Sequence, residues 1–379
     1  MKILYLMART TDCVHQNTTE NELARSLDKR GHEISSVFAY KNNKIILDGF
    51  SNAEYIHTPK NNWWDKLRYH FILLRALLKY KGDVVIFTYS LAHLLLLARI
   101  ILIGRPRPIY TLDIRSVPVD VGNDLKGKIF ELRYYLSLKI ANHLCDGITA
   151  ITPMLANTLI PYLQKHKGNI GVWTSGVNLE QFVLEGPSYR ERLGLNGKKV
   201  LFYHGIMSPN RGLQNALRAF AKIGNDYPDL VFLFVGDGDG LNELKELSHT
   251  LGVSDRIVFT GQVDFDEIPK YLRIADIGIL PFPNITWWAV SSPIKIMEYL
   301  AMSIPVVATD IDAIRFVLDE TSGGVLSKDS SSDSLSNAIS LILKEGCEMP
   351  DREKLDAVIS WDAQALRLEQ YFEKLKQRK

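Results

Sequence analysis

The sequence predicts an α/β chain made of two doubly wound domains, each a parallel sheet with crossover helices. Its 379 residues exceed the roughly 100–200 residues of one typical domain. Short apolar runs alternate with helical patterns along the whole chain, which is typical of parallel strands joined by helices. Turn-forming residues interrupt this alternation at about residues 165–185, and it then starts again. We therefore expect two similar domains that meet near that interruption.

Apolar runs in the first half predict five buried strands. Thr19 to Glu22 is predicted to be a capping box that opens a helix after the first strand, and Gly31 is predicted to end that helix. The predicted strands are residues 2–7, 33–39, 83–88, 108–112 and 147–151.

The same pattern predicts five strands in the second half, at residues 199–203, 230–235, 256–260, 277–280 and 305–308. We therefore expect an N-terminal domain at 1–172 and a C-terminal domain at 173–360. Apolar side chains recur at helical spacing within residues 361–379, with charges between them. They predict an amphipathic helix that packs back on the N-terminal domain.

Composition excludes several classes of protein. With 46% hydrophobic residues the chain can bury a large core, and 45 Lys and Arg against 43 Asp and Glu give no support for a nucleic-acid binder. Cys13, Cys145 and Cys347 form no CxxC pair, so the sequence predicts neither a disulfide framework nor a zinc cluster, and favours a reducing compartment. Residues 91–103, the longest apolar stretch, are too few to span a bilayer, and the apolar start is too short for a signal peptide. We expect a cytoplasmic protein.

The charge is unevenly distributed between the two halves. Residues 1–172 hold 23 Lys and Arg against 14 Asp and Glu, whereas residues 173–379 hold 22 against 29. Arg68, Arg75 and Lys79 recur at offsets of seven and four, which places them on one helix face. A basic amphipathic helix of this kind can lie on anionic lipid headgroups. The alternative is an ordinary solvated face above the core positions Leu67, Phe71, Leu74 and Leu78.

The sharpest signal for a functional site is the stretch SSPIKIMEY at residues 291–299. Ser292 and Pro293 predict a helix start, whose unpaired N–H groups favour an anion. Lys295 in the first turn is unusual, because the helix dipole disfavours a cation there, and it therefore suggests a bound phosphate. Glu298, three residues on, can accept hydrogen bonds from sugar hydroxyls. The alternative is a simple Lys295–Glu298 pair on the helix surface.

Two other turns follow predicted strands. The first, residues 204–212, places Arg211 at a strand end, where ligands of open α/β sheets bind. The second, residues 235–240, is rich in glycine but lacks the GxGxxG spacing of a dinucleotide site, and Gly236 can serve simply to let the chain turn.

Together these residues resemble the C-terminal half of the retaining GT-B glycosyltransferases of glycosyltransferase family four. The matching motifs keep their order and spacing over about 110 residues, which makes an accidental match improbable. The N-terminal half resembles the family in its first helix and in Ser175 to Asn178, at the junction between domains. The motifs are HG…RG from His204, FVGDG from Phe234, residues 256–263, residues 275–281, and K…EY…PVVA from Lys295.

The resemblance implies the GT-B fold, in which two Rossmann-like domains face each other across a cleft and the second holds a nucleotide-diphosphate sugar. It implies that Glu298 binds the ribose and that Arg211 neutralises the diphosphate. It also implies retention of anomeric configuration and no required metal or other cofactor. The expected catalytic residues are Arg211, Lys295, Glu298 and Asp113. The expected donor-binding residues are Gly205, Gly236, Asp237, Gly238, Gln262, Val263, Ser291, Ser292, Ile294 and Glu298.

The sequence departs from the family pattern at three places. Ile206 stands where many members have an arginine, and Val290 stands where they have the first glutamate of the motif. The glycine pair of the first loop is also missing, although Asn17 and Thr18 there can still approach the donor phosphate or the acceptor. We hypothesise that Lys295 replaces the missing arginine in space.

Polar residues in the N-terminal half are candidates for the acceptor side. Asp113 and Arg115 follow a predicted strand and can bind the acceptor or the donor sugar, and Tyr89 follows the strand before it. A polar turn that only ties down a loop is the alternative for Asp113 and Arg115. Trp287 and Trp288 can stack on a sugar, but aromatic packing that fixes their loop is favoured.

The function expected from these features is hexosyl transfer, with retention, from a nucleotide-diphosphate sugar to a hydroxyl acceptor. The expected setting is cell-envelope polysaccharide or glycolipid synthesis, with a carbohydrate or lipid-linked acceptor. The basic N-terminal half suggests an anionic membrane surface as a further partner and a peripheral location on the inner face of the cell membrane. Two alternatives are a sugar-nucleotide epimerase, which shares the architecture, and a degenerate GT-B subunit that binds without turnover.

Overall fold

Two parallel sheets organise the chain. The computed structural model describes residues 1–7, 11, 18–58, 60, 62–104, 106–118 and 124–379. Met1–Ser175 and Trp361–Lys379 form one compact unit, and Gly176–Ser360 form the other. Strand pairs in both sheets are parallel. The predicted fold class, with two doubly wound parallel sheets, is confirmed.

The N-terminal unit alternates strands with helices along the chain. The strands are β1 (Lys2–Leu6), β2 (Glu33–Tyr40), β3 (Asn52–His57), β4 (Val84–Thr88), β5 (Ile109–Ile114), β6 (Gly147–Ala150) and β7 (Ile170–Val172). The helices are α1 (Thr18–Lys29), α2 (Trp63–Lys79), α3 (Ala92–Ile101), α4 (Leu125–Leu144) and α5 (Pro153–Leu159). The sheet order is β3-β2-β1-β4-β5-β6-β7. The order in which strands are added reverses between β1 and β4, although all strands stay parallel. At such a switch point, sheets of this class bind ligands beyond the carboxyl ends of their strands.

The last helix of the chain belongs to this N-terminal unit. This helix, α14 (Trp361–Gln377), packs against α1 and β7. The Tyr371 hydroxyl accepts from the Ile148 backbone N–H at 2.9 Å and donates to the Asn169 carbonyl at 2.9 Å. Phe372 and Leu375 are buried in the same core. The end of the sequence therefore completes the hydrophobic core of its first half.

The C-terminal unit repeats the alternation. Its strands are β8 (Lys199–His204), β9 (Leu230–Val235), β10 (Ile257–Phe259), β11 (Ile277–Leu280), β12 (Val306–Thr309) and β13 (Gly324–Ser327). Its helices are α6 (Leu213–Ile223), α7 (Leu241–Thr250), α8 (Ile268–Leu272), α9 (Thr286–Ala289), α10 (Ile294–Ala301), α11 (Asp312–Thr321), α12 (Ser332–Glu345) and α13 (Arg352–Ile359). The sheet order β10-β9-β8-β11-β12-β13 places its switch point between β8 and β11.

The strands that the sequence did not predict all lie at sheet edges. They are β3 and β7 in the first sheet and β13 in the second. Central strands of a parallel sheet are covered on both faces and therefore read as continuous apolar runs. An edge strand is less covered, and β3 alternates exposed and half-buried residues over most of its length. The apolar signal is consequently weakest at the edges.

Three local predictions are wrong in detail. Helix α1 already includes Thr18 and Thr19, so Thr19 is not its cap; burial of Leu23 and Leu27 against the core stabilises this helix more than a cap can. Helix α10 begins at Ile294 with Pro293 as its cap, one residue later than Ser292 and Pro293 predicted.

The predicted core face of α2 is also wrong. Leu67 and Phe71 are exposed at 53% and 66%, and the buried positions are Tyr69, Leu73 and Leu77. The helix is apolar on more than one side, so spacing did not identify the side that faces the sheet.

Within the described residues, no helix combines the length and apolar character needed to cross a bilayer.

Candidate functional site

Three turns meet at the carboxyl edge of the C-terminal sheet. They follow β8, β9 and β10, and backbone hydrogen bonds join them. The Met207 N–H donates to the Asp237 carbonyl at 2.8 Å, and the Gly240 N–H donates to the Met207 carbonyl at 2.8 Å. The Gly236 N–H donates to the Gly261 carbonyl at 2.9 Å. These bonds bring Gly205, Asp237 and the segment with Gln262 and Val263 into one surface.

Glycine is required where the first two turns touch. A Cβ on Gly236 would lie 2.2 Å from the Gly205 carbonyl oxygen, and a Cβ on Gly238 would lie 2.5 Å from the Met207 carbonyl oxygen. Gly236 also has φ of +132°, a conformation that other residues rarely adopt. Gly236 therefore serves the turn, and the close backbone approach is the physical reason that glycine is needed there.

Helix α10 delivers Lys295 to the same surface. Its side chain crosses Gly205: a Cβ there would lie 2.6 Å from the Lys295 Cε and 2.8 Å from its Nζ. The pKa of Lys295 is lowered to about 8, chiefly by burial and also by the positive charge of Arg211, while Glu298 opposes the shift. The pair of cations predicted from separate motifs is therefore close enough to interact electrostatically.

Aromatic side chains hold Arg211 in place. Its guanidinium lies 5.1 Å from the ring centre of Trp288 and 5.8 Å from that of Phe282. Those two rings stack with centres 4.2 Å apart, and the Trp288 Nε1–H donates to the Asn210 carbonyl at 3.1 Å. Arg211 Nε also donates to the Ser208 hydroxyl oxygen at 3.2 Å. Trp288 thus packs within its own unit, as the sequence analysis favoured.

Glu298 has a partner that the sequence analysis missed. Its Oε2 lies 3.0 Å from Nε2 of His204, and both residues are buried, at 3% and 5% exposure. The angles of this contact are not those of a hydrogen bond, and neither atom makes a hydrogen bond elsewhere in the described part of the chain. Burial lowers the pKa of His204, and Glu298 opposes that shift. Glu298 therefore faces His204 across helix and strand, rather than pairing with Lys295 along the helix.

The remaining donor-side predictions lie around this centre. The Ser291 hydroxyl donates to the Trp288 carbonyl at 2.9 Å, and the Asp237 carboxylate accepts from the Gly238 N–H at 2.7 Å. Ile294 opens α10, just after Ser292. Ile206 is 60% exposed, so no apolar packing explains its replacement of a cation.

Asp113 and Arg115 lie in the N-terminal unit with extensive contacts of their own. The Asp113 carboxylate accepts from Thr149 Oγ1 at 2.6 Å, Trp173 Nε1 at 3.0 Å and the Tyr5 hydroxyl at 3.2 Å. Arg115 lies 3.7 Å above the Trp173 ring and donates to the Trp173 carbonyl. Burial raises the pKa of Asp113, and Arg115 opposes that shift. These contacts are those of a side chain that ties strands together, so a catalytic role for Asp113 stays a prediction.

The other acceptor-side candidates lie in different parts of the N-terminal half. Tyr89 packs edge-on against Tyr134, with ring centres 5.2 Å apart. Asn17 lies outside the described residues, as does the side chain of Thr18. No group of three His, Cys, Asp or Glu side chains in the described ranges is placed to hold a metal ion.

The arrangement in the C-terminal unit can bind a polyanion that carries hydroxyl groups. Lys295 and Arg211 supply two cations at a sheet edge, beside the first turn of α10. The buried oxygen of Glu298 can accept a hydrogen bond from a hydroxyl. The His204–Glu298 contact was not predictable from spacing, although His204 directly precedes Gly205 and ends its strand.

Comparisons with known proteins match both halves of the chain. Residues 187–357 match the family model described as Glycosyl transferases group 1, and residues 16–181 match the one described as Glycosyltransferase Family 4. An alpha-monoglucosyldiacylglycerol synthase from Streptococcus pneumoniae is 29% identical over 175 residues, which are 44% of this chain and 38% of that protein. The chain spans under two fifths of the length of this relative and of two others that it matches.

Solved structures share the fold over the full chain. Sucrose-phosphate synthase from Thermosynechococcus elongatus aligns with a TM-score of 0.73 at 19% identity, over 100% of both chains. Anabaena HepE in complex with UDP-glucose aligns with a TM-score of 0.67 at 17% identity, over 100% of this chain and 98% of that chain. At such identities the likeness concerns the fold alone. That fold is GT-B, which is built from two Rossmann-like α/β domains.

Proposed function

The two family matches and the shared fold support a GT-B glycosyltransferase, and from that premise we propose that this protein transfers a sugar from a nucleotide-diphosphate sugar to a hydroxyl acceptor. The observation that carries the proposal is the position of Lys295 against Gly205, where the charge of Arg211 also acts on it. When the bond between the anomeric carbon and the diphosphate breaks, negative charge develops on the diphosphate. Two fixed cations at that position stabilise this charge more than they stabilise the intact donor.

The other residues of the site take complementary roles. Glu298 accepts hydrogen bonds from the donor ribose, and His204 keeps its carboxylate oriented from the opposite side. The backbone near Gln262 and Val263 borders the base, and Ser291 and Ser292 border the phosphates. The acceptor hydroxyl oxygen forms the new bond to the anomeric carbon, the nucleoside diphosphate leaves, and the hydroxyl proton is released with it.

The finer features of the proposal come from the family resemblance. They are a hexose as the sugar, retention of its anomeric configuration and independence of metal ions. The name of the relative crystallised with UDP-glucose supports a sugar nucleotide as donor. The product anomer, assigned by NMR, tests retention, and activity after chelation tests metal independence.

Ligand-dependent stabilisation is the direct test of the donor. A thermal-shift panel of nucleotide sugars should identify one that raises the apparent Tm, because a ligand that binds the folded state stabilises it. Glu298→Gln should then weaken binding of that donor about 10- to 100-fold, since hydrogen bonds to a charged group contribute about 1.5–3 kcal/mol. Glu345→Gln, at the exposed end of α12, is the matched control and should leave binding unchanged. Equal effects of the two variants would remove Glu298 from the site.

The same assay separates the alternative functions. Release of nucleotide from the bound donor supports transfer or hydrolysis, whereas formation of an epimer without release would identify an epimerase. Binding with no turnover, under any acceptor, would indicate a degenerate subunit.

We also propose that the acceptor is lipid-linked and that the protein works at the anionic inner face of a membrane. The N-terminal half carries the positive excess, and Arg68, Arg75 and Lys79 are exposed on α2. The diacylglycerol in the name of the Streptococcus pneumoniae relative supports a lipid acceptor.

Vesicle flotation measures this membrane association. Each Lys or Arg near an anionic surface contributes about 1 kcal/mol. The double variant Arg68→Gln with Arg75→Gln should therefore weaken binding to anionic vesicles by about tenfold or more at low salt. The control pair Arg218→Gln and Lys344→Gln removes two exposed cations from the C-terminal unit and should have little effect. Equal binding of the wild type to neutral and anionic vesicles would contradict the electrostatic part of the proposal.

A further inference from the structure

Three helices of the N-terminal unit enclose an apolar groove. It has a volume of about 700 Å³, which lies in the range of small-molecule sites. Helix α2 supplies one wall, α3 and the turn before it a second, and α4 the third. Its apolar and aromatic lining includes Trp63, Leu67, Phe71, Tyr89, Leu97 and Leu136.

Much of this apolar lining is exposed. Phe71 is 66% exposed, Trp63 61% and Leu136 52%. A contiguous patch of exposed apolar side chains commonly marks an interaction site. Leu67 and Phe71 are α2 positions that were predicted to lie in the core, yet they are exposed at 53% and 66%.

Polar groups along the groove are neutral or positive. Its charged lining residues are Lys66 and Arg133, and it has no acidic lining residue in the part of the chain that the structure describes. His70 and His93 stack with ring centres 5.2 Å apart. Tyr89 and Ser90 lie directly after β4, at the carboxyl edge of the sheet. The groove therefore connects the ligand-binding edge of an α/β sheet with an apolar channel.

We infer that this groove binds the hydrocarbon chain of an anionic lipid acceptor, with its phosphate near Arg133 and Lys66. This inference rests on the proposed function, since it names the acceptor class of the same enzyme. The apolar walls remove the chain from water, and a lining with two cations and, in the described part of the chain, no acidic residue matches an anionic headgroup. A concave channel with three walls encloses a single chain, whereas a flat bilayer surface would contact only its rim.

Substitutions of two leucines on α4 distinguish two binding modes. In one, a hydrocarbon chain lies in the groove, and in the other, a bilayer contacts the whole face of the helices. Leu136 lines the groove, whereas Leu132 lies one turn earlier, is 67% exposed and does not line it. Glutamate at either position keeps a helix-forming, solvent-accessible residue, so both variants should fold, which their Tm values check. The probe is dodecyl phosphate below its micellar concentration, titrated by calorimetry, with inorganic phosphate as the headgroup alone.

We expect dodecyl phosphate to bind one to one and inorganic phosphate to bind at least tenfold more weakly. Leu136→Glu should weaken dodecyl phosphate binding at least tenfold, and Leu132→Glu should change it less than twofold. Equal losses of dodecyl phosphate binding in both variants would overturn the inference in favour of a bilayer surface. The same conclusion would follow if the wild type did not bind monomeric dodecyl phosphate while Leu136→Glu lost binding to vesicles.

Failure of this inference is distinguishable from failure of the proposed function. Donor binding in the thermal-shift panel with no dodecyl phosphate binding would disprove lipid binding in the groove and leave the transferase proposal intact. If Leu136→Glu weakens dodecyl phosphate binding but no nucleotide sugar binds, lipid binding in the groove is supported and the transferase proposal is contradicted.

Discussion

Lys295→Ala is expected to lower the rate of sugar transfer by about 100- to 1,000-fold, the usual effect of removing one group that stabilises developing negative charge. Lys295 lies against Gly205, and the charge of Arg211 acts on it. The residue after Gly205, Ile206, stands where many members of the family have an arginine. If Lys295 replaces that arginine, its removal should weaken binding of the nucleoside diphosphate more than binding of the nucleoside. Calorimetric titration with both ligands measures the difference. Equal losses for the two would contradict the replacement.

Two further variants make this test specific. Arg211→Ala should give a comparable loss, because it removes the other cation of the site. Lys222→Ala, on the surface of α6, removes a lysine outside the site and should leave transfer unchanged. Normal activity in Arg211→Ala and Lys295→Ala would disprove the site assignment as a whole.

The charge of Lys295 predicts a pH dependence. Its pKa is lowered to about 8, chiefly by burial and also by Arg211, while Glu298 opposes the shift. Lys295 is therefore mostly charged at pH 7 and loses its proton as the pH rises through 8. Affinity for the nucleoside diphosphate should fall between pH 7 and pH 9. Lys295→Arg should flatten this fall, because a guanidinium stays charged over that range. His204, whose pKa is lowered from its usual value near 6.5, does not titrate there.

Gly236→Ala is expected to destabilise the C-terminal unit by about 3–5 kcal/mol. Its Cβ would lie 2.2 Å from the Gly205 carbonyl oxygen, a backbone atom that cannot move without breaking the contact between two turns. The φ of +132° adds a conformational penalty of about 1–3 kcal/mol. Urea unfolding followed by circular dichroism measures the change in the free energy of unfolding.

Gly252→Ala is the matched control for Gly236→Ala. Gly252 also has a positive φ, of +67°, but a Cβ there meets no atom within 4 Å. Its replacement should cost only the backbone penalty, about 1 kcal/mol. If both variants lose the same stability, steric contact between the turns is not what requires glycine at Gly236.

The central strands were predictable because burial on both faces selects continuous apolar runs. β4, β5 and β9 each read in the sequence as such a run and form where predicted, within two residues at each end. The edge strands β3, β7 and β13 carry a weaker pattern and were missed. Helix α2 shows the converse limit, because its apolar residues exceed one face and spacing did not decide which of them the sheet covers.

The sequence by itself determined the α/β class and the chemical types at the candidate site: a cation after β8, then a cation and a carboxylate on α10. It could do so because strand ends and helix starts are local features with characteristic residues. Only the tertiary structure decided that Lys295 crosses Gly205, that Glu298 faces His204 and that Phe71 lines a groove. Each of these contacts joins residues on separate elements, and their relative positions depend on how helices pack against a sheet. Local sequence patterns do not encode that packing.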